Sequence, residues 1–442
     1  MVKSIRKRIT TQVKALSVAS LLILTAGCGI QKAQKALLAS PSLKGAHLGI
    51  AIYNDTKSQW VSKHQSDHYF TPASNTKILA TYLGLKFLGD SLPGWRVSEN
   101  TDTLFLRPLG DPSFLHPDFA YQPVVDLIQQ SNKQVVIRAT NPQDNFEPFG
   151  NGWAWNDYAE DYQPERSRMP IYGNVVHFYQ AKGYLNAIKP FYFFKNDSNL
   201  GTVFQKNWSR SKASNNFHAT NEKNTAAYFQ VPFSLYNEPF LPVSLLNDTL
   251  QRIIPLSAVN TGSAVTEKII KTVPTDSLLK IMMRRSDNFF ADQVLLMASE
   301  QLLGKMDDAA LIDTVMKTDF SNLPQKMRWA DGSGLSRYNL NTPENYVAIL
   351  KSMQDQFGQA RVTNIFETGG EGTLSAYFKN FPGELHAKTG SLGGQIALSG
   401  FIFTLKKQKL YFSVLVSNHM SPTSAGVRRA VETYLREVAK RN

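Results

Sequence analysis

Strand-like runs stand at opposite ends of this chain, and they can share a core only if the two ends come together. Near the N-terminus, His47-Leu48-Gly49-Ile50-Ala51-Ile52-Tyr53 and Gln59-Trp60-Val61-Ser62-Lys63 flank the turn signal Asn54-Asp55. Near the C-terminus, Glu384 to Ser391, Ile396 to Leu405 and Leu410 to Ser417 read as three further strands, with Gly393-Gly394 and Lys406-Lys407-Gln408 as their turns. Joined, they predict a five-stranded antiparallel sheet. A last helix over about 424–439 has Val427, Ala430, Val431, Tyr434 and Leu435 on its apolar stripe, and a short amphipathic helix is expected near 31–38.

Everything between the two ends is then an excursion from the sheet. From about Leu92 to Thr261 the chain is rich in Pro, Gly, Asn and aromatic residues and reads as short strands, so residues 96–262 are expected to form an inserted, mostly β domain. Helical periodicity returns after Pro274, with Leu278, Leu279, Ile281 and Met282 and then Phe289, Phe290, Val294, Leu295 and Leu296. Residues 28–95 plus 263–442 make the remaining domain, and the fold class is α+β. At 442 residues, 42% hydrophobic and 19% charged, the chain can bury a large core and disorder is not the default. The net charge of +13 suits an anionic partner. Lys and Arg are scattered rather than striped and no nucleic-acid motif is present, so nucleic acid is not the expected partner.

Residues 1–27 read as an export signal. The basic stretch through Lys14 precedes the apolar run 15–24, which is shorter than the roughly 20 residues a bilayer span needs, and the small residues Thr25-Ala26-Gly27 follow. Cys28 is the only cysteine, so no disulfide can form within a monomer. Leu24-Thr25-Ala26-Gly27-Cys28 resembles a bacterial lipoprotein processing site, which implies lipidation of Cys28 and a membrane anchor; Thr25 stands where leucine is commoner, and a conventional signal peptide is the alternative.

Chemistry concentrates in three short runs. Phe70-Thr71-Pro72-Ala73-Ser74-Asn75-Thr76-Lys77 leads into the apolar segment 78–88, so Pro72 predicts an extended approach and a helix starting near Ser74. One turn on, Lys77 faces the same way and can take the serine proton once burial or a cationic neighbour makes its amine available. The same spacing recurs at Ser4/Lys7, Ser209/Lys212 and Ser277/Lys280, so context must select Ser74. Two further runs supply it: Ser286-Asp287-Asn288 and, on the first C-terminal strand, Lys388-Thr389-Gly390. As a set they suit acyl transfer. Ser74 attacks a carbonyl, Ser286 relays a proton to the leaving amine, Asn288 holds the lysine and a substrate amide, and Lys388 with Thr389 takes a substrate carboxylate. Gly390 lets substrate backbone approach the strand, and the N–H groups of Ser74 and Ser391 would form the oxyanion hole. Whether lysine or another group is the acylation base stays open at this level. His64/His68 lack a third ligand and His386 reads as structural, so neither metal nor cofactor is called for.

In this order and context the runs resemble the class C low-molecular-mass penicillin-binding proteins, the D-alanyl-D-alanine carboxypeptidase/endopeptidase family, over nearly the whole mature chain. Gly110-Asp111-Pro112, Gly152-Trp153-Ala154-Trp155-Asn156-Asp157, Asp331-Gly332-Ser333-Gly334-Leu335-Ser336 and Gly372-Thr373-Leu374 add to the likeness. The resemblance implies a penicillin-binding/β-lactamase-like fold with flanking helices and a helical subdomain, and an insertion in the long interval between Ser74 and Ser286. It implies a serine hydrolase acting on peptidoglycan stem peptides in the periplasm, with β-lactam antibiotics as inhibitors. It also implies that Asp157 binds the amino group of the stem-peptide side chain; a turn-capping aspartate is the other reading. Ser391 stands where threonine is commoner, which bears on substrate preference. A serine β-lactamase or esterase of the same fold, and a non-catalytic wall-binding lipoprotein, are the alternatives.

Overall fold

A computed structural model describes residues 29–182, 184–195, 206–236, 238–257 and 267–442. The leader 1–27 and Cys28 lie outside the described residues. No helix among those described is long and apolar enough to cross a membrane. The chain divides into two compact units. The first gathers the described residues up to Pro72, Pro324–Met327 and Leu340–Asn442; the second holds Ala73–Leu323 and Arg328–Asn339.

The first unit is built on the sheet expected from the chain ends. Strands β1 (His47–Asn54), β2 (Gln59–His64), β13 (Glu384–Leu392), β14 (Gln395–Phe403) and β15 (Lys409–Ser417) pair antiparallel, with β1 between β2 and β15. A sixth strand, β12 (Glu367–Thr368), is added beyond β13. Its two residues are too short for any periodicity to reveal. The strands β14 and β15 are buried along almost their whole length because both faces of the sheet are covered, which explains their near-continuous apolar sequence. On one face Ile50, Ile52, Phe412, Val414 and Val416 pack with Ile30 and Leu37 of α1 (29–38) and with Val427, Val431, Tyr434 and Leu435 of α10 (Ser424–Arg441). On the other lies α8 (Pro343–Phe357), whose Gln354 accepts from the Tyr411 hydroxyl at 3.2 Å.

The second unit begins at the nucleophile run. Residues 73–76 form one tight 3-10 turn and α2 (Lys77–Phe87) continues from it, so the helix proper starts three residues after Ser74. Residues Lys77 through Leu85 are all buried, because α2 is packed between α5 (Thr275–Arg285) and α6 (Asn288–Leu303). Around it stand a four-stranded sheet ordered β11 (Lys268–Pro274), β3 (Ser91–Glu99), β4 (Thr103–Pro108), β5 (Gln134–Ile137), a three-stranded sheet ordered β10 (Tyr228–Pro232), β6 (Val175–Ala181), β7 (Tyr184–Lys189), and the hairpin β8 (Lys206–Arg210) with β9 (Phe217–Lys223). The helices α3 (Pro123–Gln130) and α4 (Leu241–Leu250) interrupt the strands, and β4 with β5 is a parallel pair. One hydrophobic core runs from Trp95 to Ile254, and Phe194 of the aromatic run 191–194 belongs to it. Arg168, buried, bonds Asp144 and Glu300 of α6, the latter at 3.0 Å. Removing one member of such a buried network costs about 3–5 kcal/mol.

Candidate active site

Within the second unit the fold brings Ser74, Lys77 and Asn288 together. The Lys77 amine lies 3.0 Å from Ser74 Oγ, 2.5 Å from Asn288 Oδ1 and 2.8 Å from the Ser333 carbonyl, and Lys77 is wholly buried. Three elements position it: the 73–76 turn, the start of α6 and the turn Asp331 to Ser336. The approach to Ser74 is strained, since Ala73 has φ +48°, a conformation that costs an L-residue roughly 1–2 kcal/mol. What holds it is close backbone packing. Gly334 has φ +85°, and a Cβ there would fall 1.9 Å from the Ala73 carbonyl oxygen, so only glycine lets the two turns touch.

The Ser286 triplet works as a helix junction. Ser286 closes α5 in the left-handed conformation, φ 59°, and Asp287 caps α6 by accepting the Phe290 N–H at 2.9 Å. Burial pushes the Asp287 carboxyl up. Asn288, the first residue of α6, is pinned at both ends of its amide, since its Nδ2 donates to the Tyr162 carbonyl at 2.9 Å. Ser286 and Asn288 also line a cleft of about 800 Å³ with Asp118, Tyr162, Tyr228 and Arg285. Asp157 is half-buried, in the 3-10 turn 155–157, and accepts from the Tyr162 hydroxyl at 2.8 Å.

The first unit carries the other run. Lys388 and Thr389 sit in the middle of β13, opposite Ser399 and Leu398 of β14. Lys388 is also wholly buried and donates to the Thr389 carbonyl at 2.9 Å. Burial drives its pKa down to about 8, against the pull of the Glu367 carboxylate, while the Arg428 charge pushes the same way as burial. Burial in turn raises the Glu367 carboxyl, an effect that Lys388 opposes. Thr389 Oγ1 meets the Thr373 hydroxyl, whose N–H donates to Glu367 at 2.6 Å, and Arg428 donates to Ser391 Oγ at 2.6 Å. Gly390 is buried and Ser391 exposed. Two cations and three hydroxyls thus gather at one strand edge, the donor set a carboxylate needs.

Sequence reasoning missed Ser333, Tyr162, Glu367, Thr373 and Arg428 as members of these clusters. Ser333 and Tyr162 contribute backbone carbonyls to them, which carry no residue signature. Glu367 and Arg428 stand outside every recognised run.

The chain matches the D-Ala-D-Ala carboxypeptidase 3 (S13) family over residues 30–190 and 259–438. It is 22% identical over 417 residues to a penicillin-sensitive carboxypeptidase A of Dictyostelium discoideum, covering 79% of this chain and 78% of that one. It is 28% identical over 172 residues to the D-alanyl-D-alanine carboxypeptidase DacB of Haemophilus influenzae, 36% of this chain and 34% of the relative. Among solved structures, penicillin binding protein 4 of Haemophilus influenzae superposes with a TM-score of 0.68 at 17% identity, over 93% of this chain and 98% of that one. A predatory endopeptidase of Bdellovibrio bacteriovorus gives 0.50 at 16%, over 90% and 94%. The structural likenesses establish the penicillin-binding fold. The family match covers both the Ser74 run and the Lys388 run, and the chain accordingly belongs to the D-Ala-D-Ala carboxypeptidase 3 (S13) family and is a serine-type carboxypeptidase.

Proposed function

We propose that the protein cleaves D-Ala-D-Ala bonds of peptidoglycan stem peptides, and cross-bridges between them, through an acyl-enzyme on Ser74. The observation that supports this most is the Lys77 amine 3.0 Å from Ser74 Oγ, oriented also by Asn288 Oδ1 and the Ser333 carbonyl. As Ser74 Oγ attacks the penultimate D-Ala carbonyl, its proton passes to Lys77. The negative charge that develops on the carbonyl oxygen is met by the Ser74 and Ser391 N–H groups. Ser286 hands a proton to the departing amine, the C–N bond breaks, and water later releases the acyl group. Lys388, Thr389 and Ser391 hold the terminal carboxylate of the substrate, with Arg428 adding charge beside Ser391.

The domain scheme belongs to the same proposal: residues 96–262 are an insertion within a catalytic domain formed by 28–95 and 263–442. Asp157, half-buried and held by Tyr162, fits an ammonium on the stem-peptide side chain. Export through the leader and lipidation of Cys28 would place the enzyme in the periplasm on a membrane anchor. A structure of penicillin binding protein 4 complexed with a β-lactam supports the expectation that such antibiotics bind this chain.

The test is incubation of the folded protein with a labelled penicillin, followed by peptide mapping and by D-Ala release from defined muropeptides. Label on Ser74 with D-Ala release is expected; a folded preparation that takes no label and releases no D-Ala overturns the reading. Rapid nitrocefin turnover would favour the β-lactamase alternative.

A further inference from the structure

Behind the Lys77 contacts lies a second pair of ionisable groups that the reaction outlined above does not use. Asp292 and Asp331 are both wholly buried. Asp292 is on α6, one turn after Asn288, and so on the same helix face. Asp331 opens the turn that ends in Ser336.

The two carboxyls are served very unequally. Asp331 accepts from the Trp153 indole at 2.9 Å, the Gly334 N–H at 2.8 Å, the Ser336 N–H at 2.7 Å, Asn339 Nδ2 at 2.7 Å and the Ser333 hydroxyl at 3.4 Å. Five donors thus converge on the Asp331 carboxylate. Asp292 accepts the Gly332 N–H at 2.7 Å through one oxygen, and its other oxygen is buried with no hydrogen-bond partner. Two buried carboxyls this close do not both ionise. Burial, and then the Asp331 charge, raise the Asp292 carboxyl far above the ordinary range; Arg166, the Ser333 hydroxyl and the Gly332 N–H oppose this.

The turn between them is wedged tight. A Cβ at Gly332 would fall 2.4 Å from the Ala291 carbonyl oxygen on α6, and Gly334 meets Ala73 in the same way on the other side. Its third residue, Ser333, presents the carbonyl that accepts from Lys77.

We propose that Asp292 is a positioning residue: buried on α6 and bonded to the Gly332 N–H, its carboxyl clamps the Asp331 to Ser336 turn so that the Ser333 carbonyl orients the Lys77 amine toward Ser74. The proposal rests on the acyl-enzyme reading above. When Asp292 loses its proton, two negative charges face each other in a dry interior, the turn is pushed off α6, and the Ser333 carbonyl leaves its place. A displacement of about 1 Å at such a group can cost on the order of 10²-fold in rate. Asp292 therefore sets an alkaline limit on acylation.

The experiment follows the first-order acylation rate against pH at saturating labelled penicillin, so that weakened carboxylate recognition at Lys388 does not enter. It compares wild type, Asp292→Asn and Asp331→Asn. In wild type the rate falls on the alkaline side. In Asp292→Asn, a neutral isostere that still accepts the Gly332 N–H, the rate below the limb stays within about threefold of wild type and the limb moves up by about a unit or more. In Asp331→Asn, where an ionised Asp292 no longer meets a second negative charge, the limb is lost. An unchanged limb in both variants, or equal loss at every pH, overturns the proposal while leaving the assignment of Ser74 intact. If Asp292→Asn does not fold, loss or persistence of the limb in Asp331→Asn decides alone. Wild type that takes no label overturns the acyl-enzyme reading and this proposal with it.

Discussion

Among the described residues Lys77 and Lys388 are the lysines buried completely, and they meet different partners. Lys77 donates to a hydroxyl, an amide oxygen and a main-chain carbonyl, and its charge acts on the Asp287 carboxyl. Lys388 faces the charged side chains of Glu367 and Arg428 and donates to its own strand. A ring of neutral acceptors fixes where an amine points and can serve either protonation state. A neighbouring carboxylate instead favours the charged form. The contrast teaches that burial alone does not decide what a lysine does; in the proposed reaction the contacts of Lys77 suit proton transfer and those of Lys388 carboxylate recognition.

That division can be broken most sharply at the first site. Replacing Ser74 by alanine, or Lys77 by methionine, should lower acylation by labelled penicillin by about 10⁴-fold or more at every pH, read as label incorporated per hour. Lys388→Ala should be milder and selective. Loss of about 10²-fold in kcat/KM is expected for a substrate ending in a free carboxylate, with a much smaller loss for the same substrate as its amide. Equal losses on both substrates would erase the distinction between the two amines.

Glu367→Gln sharpens the comparison through pH. Glu367 holds the Lys388 pKa up, so removing its charge lets burial lower that pKa below about 8. The alkaline fall in kcat/KM for carboxylate substrates should then begin at lower pH than in wild type, with less than about tenfold loss at neutral pH. The smallest effect is on stability. A lysine whose folded-state pKa lies near 8 and whose unfolded value is about 10.4 binds fewer protons when folded across that window. Unfolding free energy should therefore rise between about pH 8 and 10 by on the order of 1–2 kcal/mol relative to Lys388→Met, measured by urea denaturation.

Much of this was legible before any coordinates. The five long strands of the first unit follow from apolar runs and turn residues, and Ser286-Asp287-Asn288 reads as a helix junction because Asp is a good cap. Other parts left no trace. The parallel pairing of β4 with β5 is set by tertiary context, and α3 and α4 are short helices inside a strand-rich stretch. Ser333 could be seen as part of a glycine-rich turn, but that its carbonyl meets Lys77 depends on how closely Gly334 lets that turn approach Ala73. Asp331 takes the turn-capping role its Gly-rich setting suggests, whereas nothing in the sequence distinguishes Asp292 from any helical aspartate.

The place of β1, hydrogen-bonded along one edge to β2 and along the other to β15, has a consequence for how the protein is made. His47 must wait for Ser417. A ribosome releases the first strand long before its second neighbour exists, so the hairpin can form early while the sheet stays unfinished until synthesis is nearly done. Such a chain cannot complete its fold during translation, and its final strand acts as the latch that closes the sheet.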